Sequence, residues 1–288
     1  MSAAAAAWFD KNPSLAVALV SAGMGVAPMV ISPFATWLIG EYGWRTAMLT
    51  VGCCAAALVV PASLLIRQAP SLTARPGPRT ASSASATTPM TAGRAFRTPS
   101  FAAIALTHFA CCACHSGPIF HMVAYAIGCN ITPMLAASIF GVAVVAGLGG
   151  RIGFGLAADR FGVKLVLVLG LIVQATAAGA YIFVNQLGEF YALAIVFAFA
   201  YGGVMPLYAI LVRDYFGLHI MGKVFGAVSA AASLGMAFGP VAGGWVFDAY
   251  ADYYWLYVGS FAVGLGAVAI ALTVKPVPPQ LTGRLQPV

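Results

Sequence analysis

The sequence predicts an all-α integral membrane protein, a bundle of about eight transmembrane helices, on three observations. The 288 residues are 61% hydrophobic and 7% charged, with a mean hydropathy of +0.94, and a soluble domain of this size needs more polar surface than that. Apolar segments long enough to cross a bilayer, roughly 20 residues each, recur along the chain. Basic residues gather in alternate connections between those segments.

The first span runs from Pro13 to Leu38, opened by Asn12 as N-cap with proline at the first helical position. The second runs from Arg45 to Ile66. The third runs from Phe101 to Ile127, with a kink expected at Pro118. Another cap-and-proline pair, Thr132-Pro133, opens the fourth, which extends to Ala157. The fifth covers Val163 to Val184, the sixth Phe190 to Val212, the seventh Gly222 to Phe247 and the eighth Tyr253 to Val274. Between the second and third spans, Arg67 to Ser100 is rich in Ser, Thr, Ala, Pro and Arg, has no acidic residue and shows no periodicity. It reads as a flexible linker, and the tail after Lys275 reads similarly. The opening residues MSAAAAAWFDKNPS have neither the basic start nor the cleavage site of a secretory signal, so none is expected.

Charge sets the expected orientation. One side receives Lys11, Arg67, Arg75, Arg79, Arg94, Arg97, Arg160, Lys164, Arg213, Lys223, Lys275 and Arg284. The other receives Arg45 with Glu41, Glu189, Asp248 and Asp252. The basic side is expected to be cytoplasmic, with both termini on it, in a plasma or inner membrane. The net charge of +7 therefore belongs to loops and is not a nucleic-acid signal. The six cysteines lie in or beside apolar segments and are not spaced as a disulfide framework.

A weak repeat relates two span ends. Trp37 to Tyr42 and Trp245 to Tyr250 share their spacing, and Glu41 and Asp248 fall near the same exit. Transporters are often built from repeated halves. If the first span corresponds to the seventh and the second to the eighth, the chain resembles the last eight of twelve spans. The expected domains are then 1–66 as two spans of an N-terminal half, 67–100 as cytoplasmic linker, 101–274 as a six-helix C-terminal half and 275–288 as cytoplasmic tail.

The densest charge in the apolar part of the chain lies between the fourth and fifth spans, in GRIGFGLAADRFGVK from Gly150 to Lys164. Within it Gly155, Asp159, Arg160, Gly162 and Lys164 form the pattern G-x-x-A-D-R-x-G-x-K. This resembles the loop signature of the major facilitator superfamily of secondary transporters. Trp8-Phe9-Asp10-Lys11, Gly43-Trp44-Arg45, Tyr201-Gly202-Gly203, Tyr215-Phe216-Gly217 and Gly239-Pro240 are similar to the monocarboxylate and oxalate/formate branch. The resemblance implies a major facilitator type helical bundle that transports a small organic anion by alternating access, without a bound cofactor. It covers essentially the whole chain but finds no counterpart for the family's first four helices.

Arg151 is the first candidate for substrate binding. A guanidinium inside a span normally faces a cavity or a partner, and it holds a carboxylate through two parallel hydrogen bonds. The resemblance implies that an arginine at this position contacts the substrate carboxylate. The alternative is a structural arginine at a helix end or snorkelling to the interface. The family also tends to carry an acidic residue one turn earlier, where this chain has Gly147.

His121, just after Pro118, with Tyr125 one turn on, is a candidate to bond an anion or carry a co-transported proton, and His115 is the other histidine placed for that role. Either histidine is equally a packed polar residue bonded to a neighbouring helix. Tyr201 and Tyr208, around Gly202-Gly203 and Pro206, are candidate cavity walls or simply packing.

Gly155, Asp159, Arg160, Gly162 and Lys164 read as a gate, or more simply as a solvated basic loop. A carboxylate in this turn can cap a neighbouring helix N-terminus, where free N–H groups favour negative charge. The resemblance points to the seventh span, near Gly222 to Phe225, as that neighbour.

His108, Cys111 and His115 share a helical face, as do Cys111, Cys114 and His115, and they raise a third reading, membrane metal binding. A second reading is a truncated, non-transporting fragment, or an accessory membrane protein pairing with another subunit. No P-loop, HExxH, G-x-S-x-G or redox CxxC motif occurs, which argues against an enzyme or an ATP-driven pump. The expected partners are a small anionic substrate, the lipid bilayer and a co-transported proton.

Overall fold

The computed structural model describes residues 5, 8, 9, 12–64 and 90–274, and every regular element among them is helical. In chain order these are α1 (Pro13–Leu64), α2 (Ala92–Phe96), α3 (Pro99–Gly128), α4 (Pro133–Phe161), α5 (Val163–Ala180), α6 (Leu187–Val204), α7 (Leu207–Phe216), α8 (Leu218–Tyr250) and α9 (Tyr254–Thr273). A 3₁₀ turn, Tyr181–Phe183, extends α5.

Seven stretches among the described residues are long and apolar enough to cross a membrane: Trp37–Leu64, Pro99–Gly128, Pro133–Phe161, Val163–Phe183, Leu187–Phe216, Leu218–Tyr250 and Tyr254–Thr273. Pro13–Gly23 is a shorter apolar helix. The protein is therefore an integral membrane protein.

Two boundaries differ from the sequence reading. The first and second spans form one helical run, α1, interrupted at Gly43, where φ is 77° and ψ is 162°. That backbone conformation suits glycine, which has no Cβ to clash. The linker expected over 67–100 is ordered at its end. Thr91 caps α2 by accepting the Arg94 N–H, and Thr98 caps α3 by accepting the Phe101 N–H, with Pro99 at the first helical position. The rest of that linker falls in 65–89, and the tail in 275–288, both outside the described residues.

Thr132 precedes α4, with proline at its start, but its side chain makes no capping hydrogen bond. α6 opens with a capping box between Gln186 and Glu189. α3 runs unbroken through Pro118. The sixth span breaks at Met205–Pro206, dividing α6 from α7, because a proline ring and its missing N–H interrupt the helical ladder.

Tyr42 is followed by Gly43 at φ 77° and ψ 162°, and Tyr250 by Ala251 at φ 52° and ψ 25°, so the corresponding positions of the expected repeat take different backbone conformations.

The bundle is joined chiefly by α3 against α8 and α9, α4 against α6 and α1, and α5 against α9 and α6. Bilayer lipid offers no hydrophobic drive for helix association, so close packing must supply it. Small residues provide it here. A side chain on Gly150 would run into the Phe199 carbonyl, and one on Gly202 into the backbone of Gly147, so α4 and α6 meet nearly backbone to backbone.

Two buried clusters divide the bundle lengthwise. One gathers Leu207, Tyr208, Ile210, Val228 and Ile104 toward the α4–α5 turn. The other gathers Tyr181, Phe190, Phe197 and Tyr257 toward the opposite end. The second part of α1 stands apart from both, with Met48, Leu58 and Leu64 more than 70% exposed.

Candidate functional site

Arg151 lies in α4, two helical turns before Asp159, on the face that meets α6. Its side chain is buried, at 8% exposure, and its Nε has no hydrogen-bond partner. A methyl group on Gly147 would sit 3.7 Å from Arg151 Nη1 and 3.8 Å from the Tyr201 hydroxyl. The glycine thus leaves the guanidinium and the phenol free to converge over its bare backbone. A buried cation with an unused donor is costly, and it is chemically ready for an anion.

Tyr201 leads back to α3. Its ring stacks on His115, with centroids 5.2 Å apart and planes 17° from parallel. Seven residues on, Tyr208 stacks on His108 at 3.8 Å and 13°. The two rungs run antiparallel along the seam of α3 with α6 and α7. His115 Nδ1 lies 2.8 Å from the Cys111 carbonyl, which can only accept, so Nδ1 carries the proton and Nε2 holds the lone pair. His108 Nδ1 is buried and unpartnered.

His121 and Tyr125 belong to a different neighbourhood. His121 Nε2 donates to the Pro240 carbonyl at 3.0 Å, leaving Nδ1 to accept the Tyr253 hydroxyl at 3.3 Å. A side chain on Gly243 would strike the His121 ring. Tyr125 donates its hydroxyl toward the Tyr181 and Val184 carbonyls at 3.2 and 3.1 Å, closing the end of α5. The structure therefore brings Tyr201 to Arg151, and engages His121 with α8 and α9 instead. Tyr208 is wholly buried against His108, with its hydroxyl 3.5 Å from the Thr107 carbonyl.

The residues of the charged turn divide into two caps. Asp159 Oδ1 accepts the Ser14 N–H and Oδ2 accepts the Leu15 N–H, both at 3.1 Å. The carboxylate thus satisfies two free donors at the N-terminus of α1, where the helix dipole also favours it. The capped helix is the first span, not the seventh as the sequence reading expected. Which helix docks there is decided by Gly155, one turn before Asp159. Its missing side chain would lie 2.9 Å from Ala18 Cβ and 3.2 Å from Leu15 Cα, so this face of α4 fits α1.

Lys164 makes the complementary contact. Its Nζ donates to the carbonyls of Leu272, at 3.4 Å, and Val274, at the C-terminus of α9 where a cation is favoured. Gly162, at φ 91° and ψ 142°, is the single residue between α4 and α5. Arg160 lies exposed, with its guanidinium 5.5 Å from the Phe161 ring centre.

The sequence reading missed Asp214. Asp159-Arg160-Phe161-Gly162 and Asp214-Tyr215-Phe216-Gly217 share the pattern D-x-F-G, and both glycines take the same backbone form, φ 91° and 77°. That pattern was the available signal. Asp214 lines a pocket of about 470 Å³ together with Lys164, Tyr215 and Leu272, and it interacts electrostatically with Asp159. Neither Arg151 nor His121 lines this pocket.

The described residues hold no group of three or more potential metal ligands. Cys111 faces the Gln174 amide oxygen at 3.5 Å, and Cys114 lies where a side chain on Gly264 would be. These cysteines serve close helix packing.

The sequence model of the Major Facilitator Superfamily matches residues 1–156 and 150–287, and the chain belongs to that family. It is 27% identical over 273 residues to monocarboxylate transporter 13 of Rattus norvegicus, covering 92% of this chain and 61% of that protein. It is 24% identical to YhjX of Escherichia coli (strain K12), an uncharacterized MFS-type transporter, over 79% of this chain and 56% of the other. It is 28% identical to a triacylglyceride transporter of Mycolicibacterium hassiacum over 53% of this chain and 27% of the other. The chain thus spans between 27% and 61% of the length of these relatives. In structure it resembles FucP, the fucose:proton symporter of Escherichia coli, with a TM-score of 0.68 at 14% identity, covering 93% of this chain and 70% of that one. This likeness is one of fold.

Proposed function

We propose that the protein is a secondary active transporter of a small organic anion, with a monocarboxylate as the favoured class, working by alternating access. The observation that carries the reading is Arg151, a buried guanidinium with a free donor, packed beside the Tyr201 hydroxyl between α4 and α6. A planar carboxylate matches its two-pronged donor geometry. The likeness to a named monocarboxylate transporter supports the same substrate class.

In this reading the six-helix half at 101–274 supplies Arg151 and Tyr201 to the binding site, His121 braces α3 against α8 and the start of α9, and Tyr125 braces it against the end of α5. Asp159 and Lys164 hold the cytoplasmic side closed through their helix caps and release it on opening. The basic linker, the tail and both termini then lie in the cytoplasm.

Uptake of radiolabelled L-lactate and pyruvate into proteoliposomes tests this. Saturable uptake by the wild-type chain is expected, with at least a tenfold loss for Arg151→Gln at preserved folding. Uptake unchanged by Arg151→Gln removes the binding assignment. No uptake of either compound by the wild type removes the substrate class.

A further inference from the structure

We propose that α2 and the start of α8 form a docking site for the headgroup of an anionic phospholipid from the surrounding bilayer. Such a site is independent of the solute that the protein carries.

One side of α2 is fixed to the bundle. Ala95 is wholly buried in the core cluster, and Ala92 packs beside it. The short helix meets α8 and α3. His219 Nε2, on α8, donates to the Met90 carbonyl at 2.8 Å, and the Thr98 hydroxyl donates to the Ala95 carbonyl at 2.7 Å. α2 is therefore held just before its start and at its end.

The other side is exposed and presents Arg94, Phe96 and Arg97, with Met90 just before the helix. Lys223 is also exposed, one helical turn after His219 on the same face of α8. No acidic residue occurs in the sequence between Arg45 and Asp159, and none occurs in α8 before Asp248. Asp214, just before α8, lines the pocket beside Lys164 instead. The two elements that build this corner thus bring cations to it and no carboxylate.

Depth selects the partner. Pro99 and Leu218 each open a stretch long and apolar enough to cross the membrane. Arg97 stands two residues before Pro99, no more than about 7 Å of chain. The headgroup layer on each side of the hydrocarbon is about 5–8 Å deep. Arg97 and His219 therefore fall among headgroups, at the entrances of two neighbouring spans. A phosphodiester matches the fork of a guanidinium. Phe96 and Met90 add apolar surface beside the arginines, which suits the upper part of an acyl chain and not a soluble anion.

Native mass spectrometry of the purified full chain in neutral detergent tests this, with dioleoylphosphatidylglycerol and dioleoylphosphatidylcholine as probes. The wild type should prefer the anionic lipid by about fivefold per basic residue engaged, so roughly thirtyfold for two arginines. The preference should shrink as ammonium acetate is raised. Arg94→Gln/Arg97→Gln should lose most of it. Arg45→Gln/Arg160→Gln, which removes two exposed cations elsewhere, should keep it. An unchanged circular dichroism spectrum checks the fold of both double variants.

Equal binding of the two lipids by the wild type overturns the site, as does a preference that Arg94→Gln/Arg97→Gln retains. An equal loss in both double variants overturns it too, because the preference would then belong to exposed cations in general. Displacement of bound phosphatidylglycerol by glycerol 1-phosphate at equal concentration would mean that a soluble phosphate occupies the corner, and overturns the bilayer as the source of its ligand.

Discussion

Asp159 accepts the Ser14 backbone N–H at 3.1 Å across 145 positions of sequence, so the last turn of α4 defines where α1 begins. The contact depends on a bare backbone at Gly155, which lets the helices approach until the carboxylate reaches. Charge and shape at this junction are therefore one arrangement.

Asp159→Ala should leave the Ser14 and Leu15 donors unsatisfied and cost about 1 kcal/mol, the usual scale for a lost N-cap. Asp159→Asn retains acceptor oxygen but loses the charge, and should fall between. Thermal unfolding in detergent orders the three proteins. An unchanged midpoint for Asp159→Ala would show that the cap contributes nothing.

Gly155→Val should be worse, because its branched side chain meets Ala18 and the α1 backbone, and overpacking of this kind typically costs about 1–3 kcal/mol. Gly222→Val is the matched control, since nothing lies within 4 Å of a Cβ there. Loss of stability in the first variant and not in the second is the expected pattern. Equal loss in both would mean that helix–helix approach is not the cause.

Lys164→Met removes the donor to Leu272 and Val274, and should fray the end of α9. Faster amide hydrogen exchange confined to the last turn of α9 is the measurement. Lys164→Arg should restore protection, because the charge and donors persist.

Tyr201→Phe deletes the hydroxyl beside Arg151 while keeping the ring that stacks on His115. Carboxylate affinity should weaken about twofold to twelvefold, the range for one lost hydrogen bond of about 0.5–1.5 kcal/mol. Affinity equal to wild type in an equilibrium binding measurement would place the hydroxyl outside the site.

Much of this was legible from residues alone. Hydropathy located the spans, and Pro133 and Pro13 marked the starts of two helices because proline at the first helical position is local chemistry. That Asp159 would cap a helix also follows from its position in a short turn. Its partner was not legible, because the docking of α1 depends on the shape around Gly155, a tertiary property. The partners of His121, Pro240 and Tyr253, were not legible either: helical periodicity places each residue on a face of its own helix but does not say which neighbour that face meets. The seam of His108 with Tyr208 and His115 with Tyr201 needed two helices in register before its spacing meant anything.

A single residue, Gly162, separates the element that carries Asp159 from the one that carries Lys164. One tight turn therefore clasps two helix ends at once, the N-terminus of α1 through Asp159 and the C-terminus of α9 through Lys164, and ties together elements from the two extremes of the described sequence.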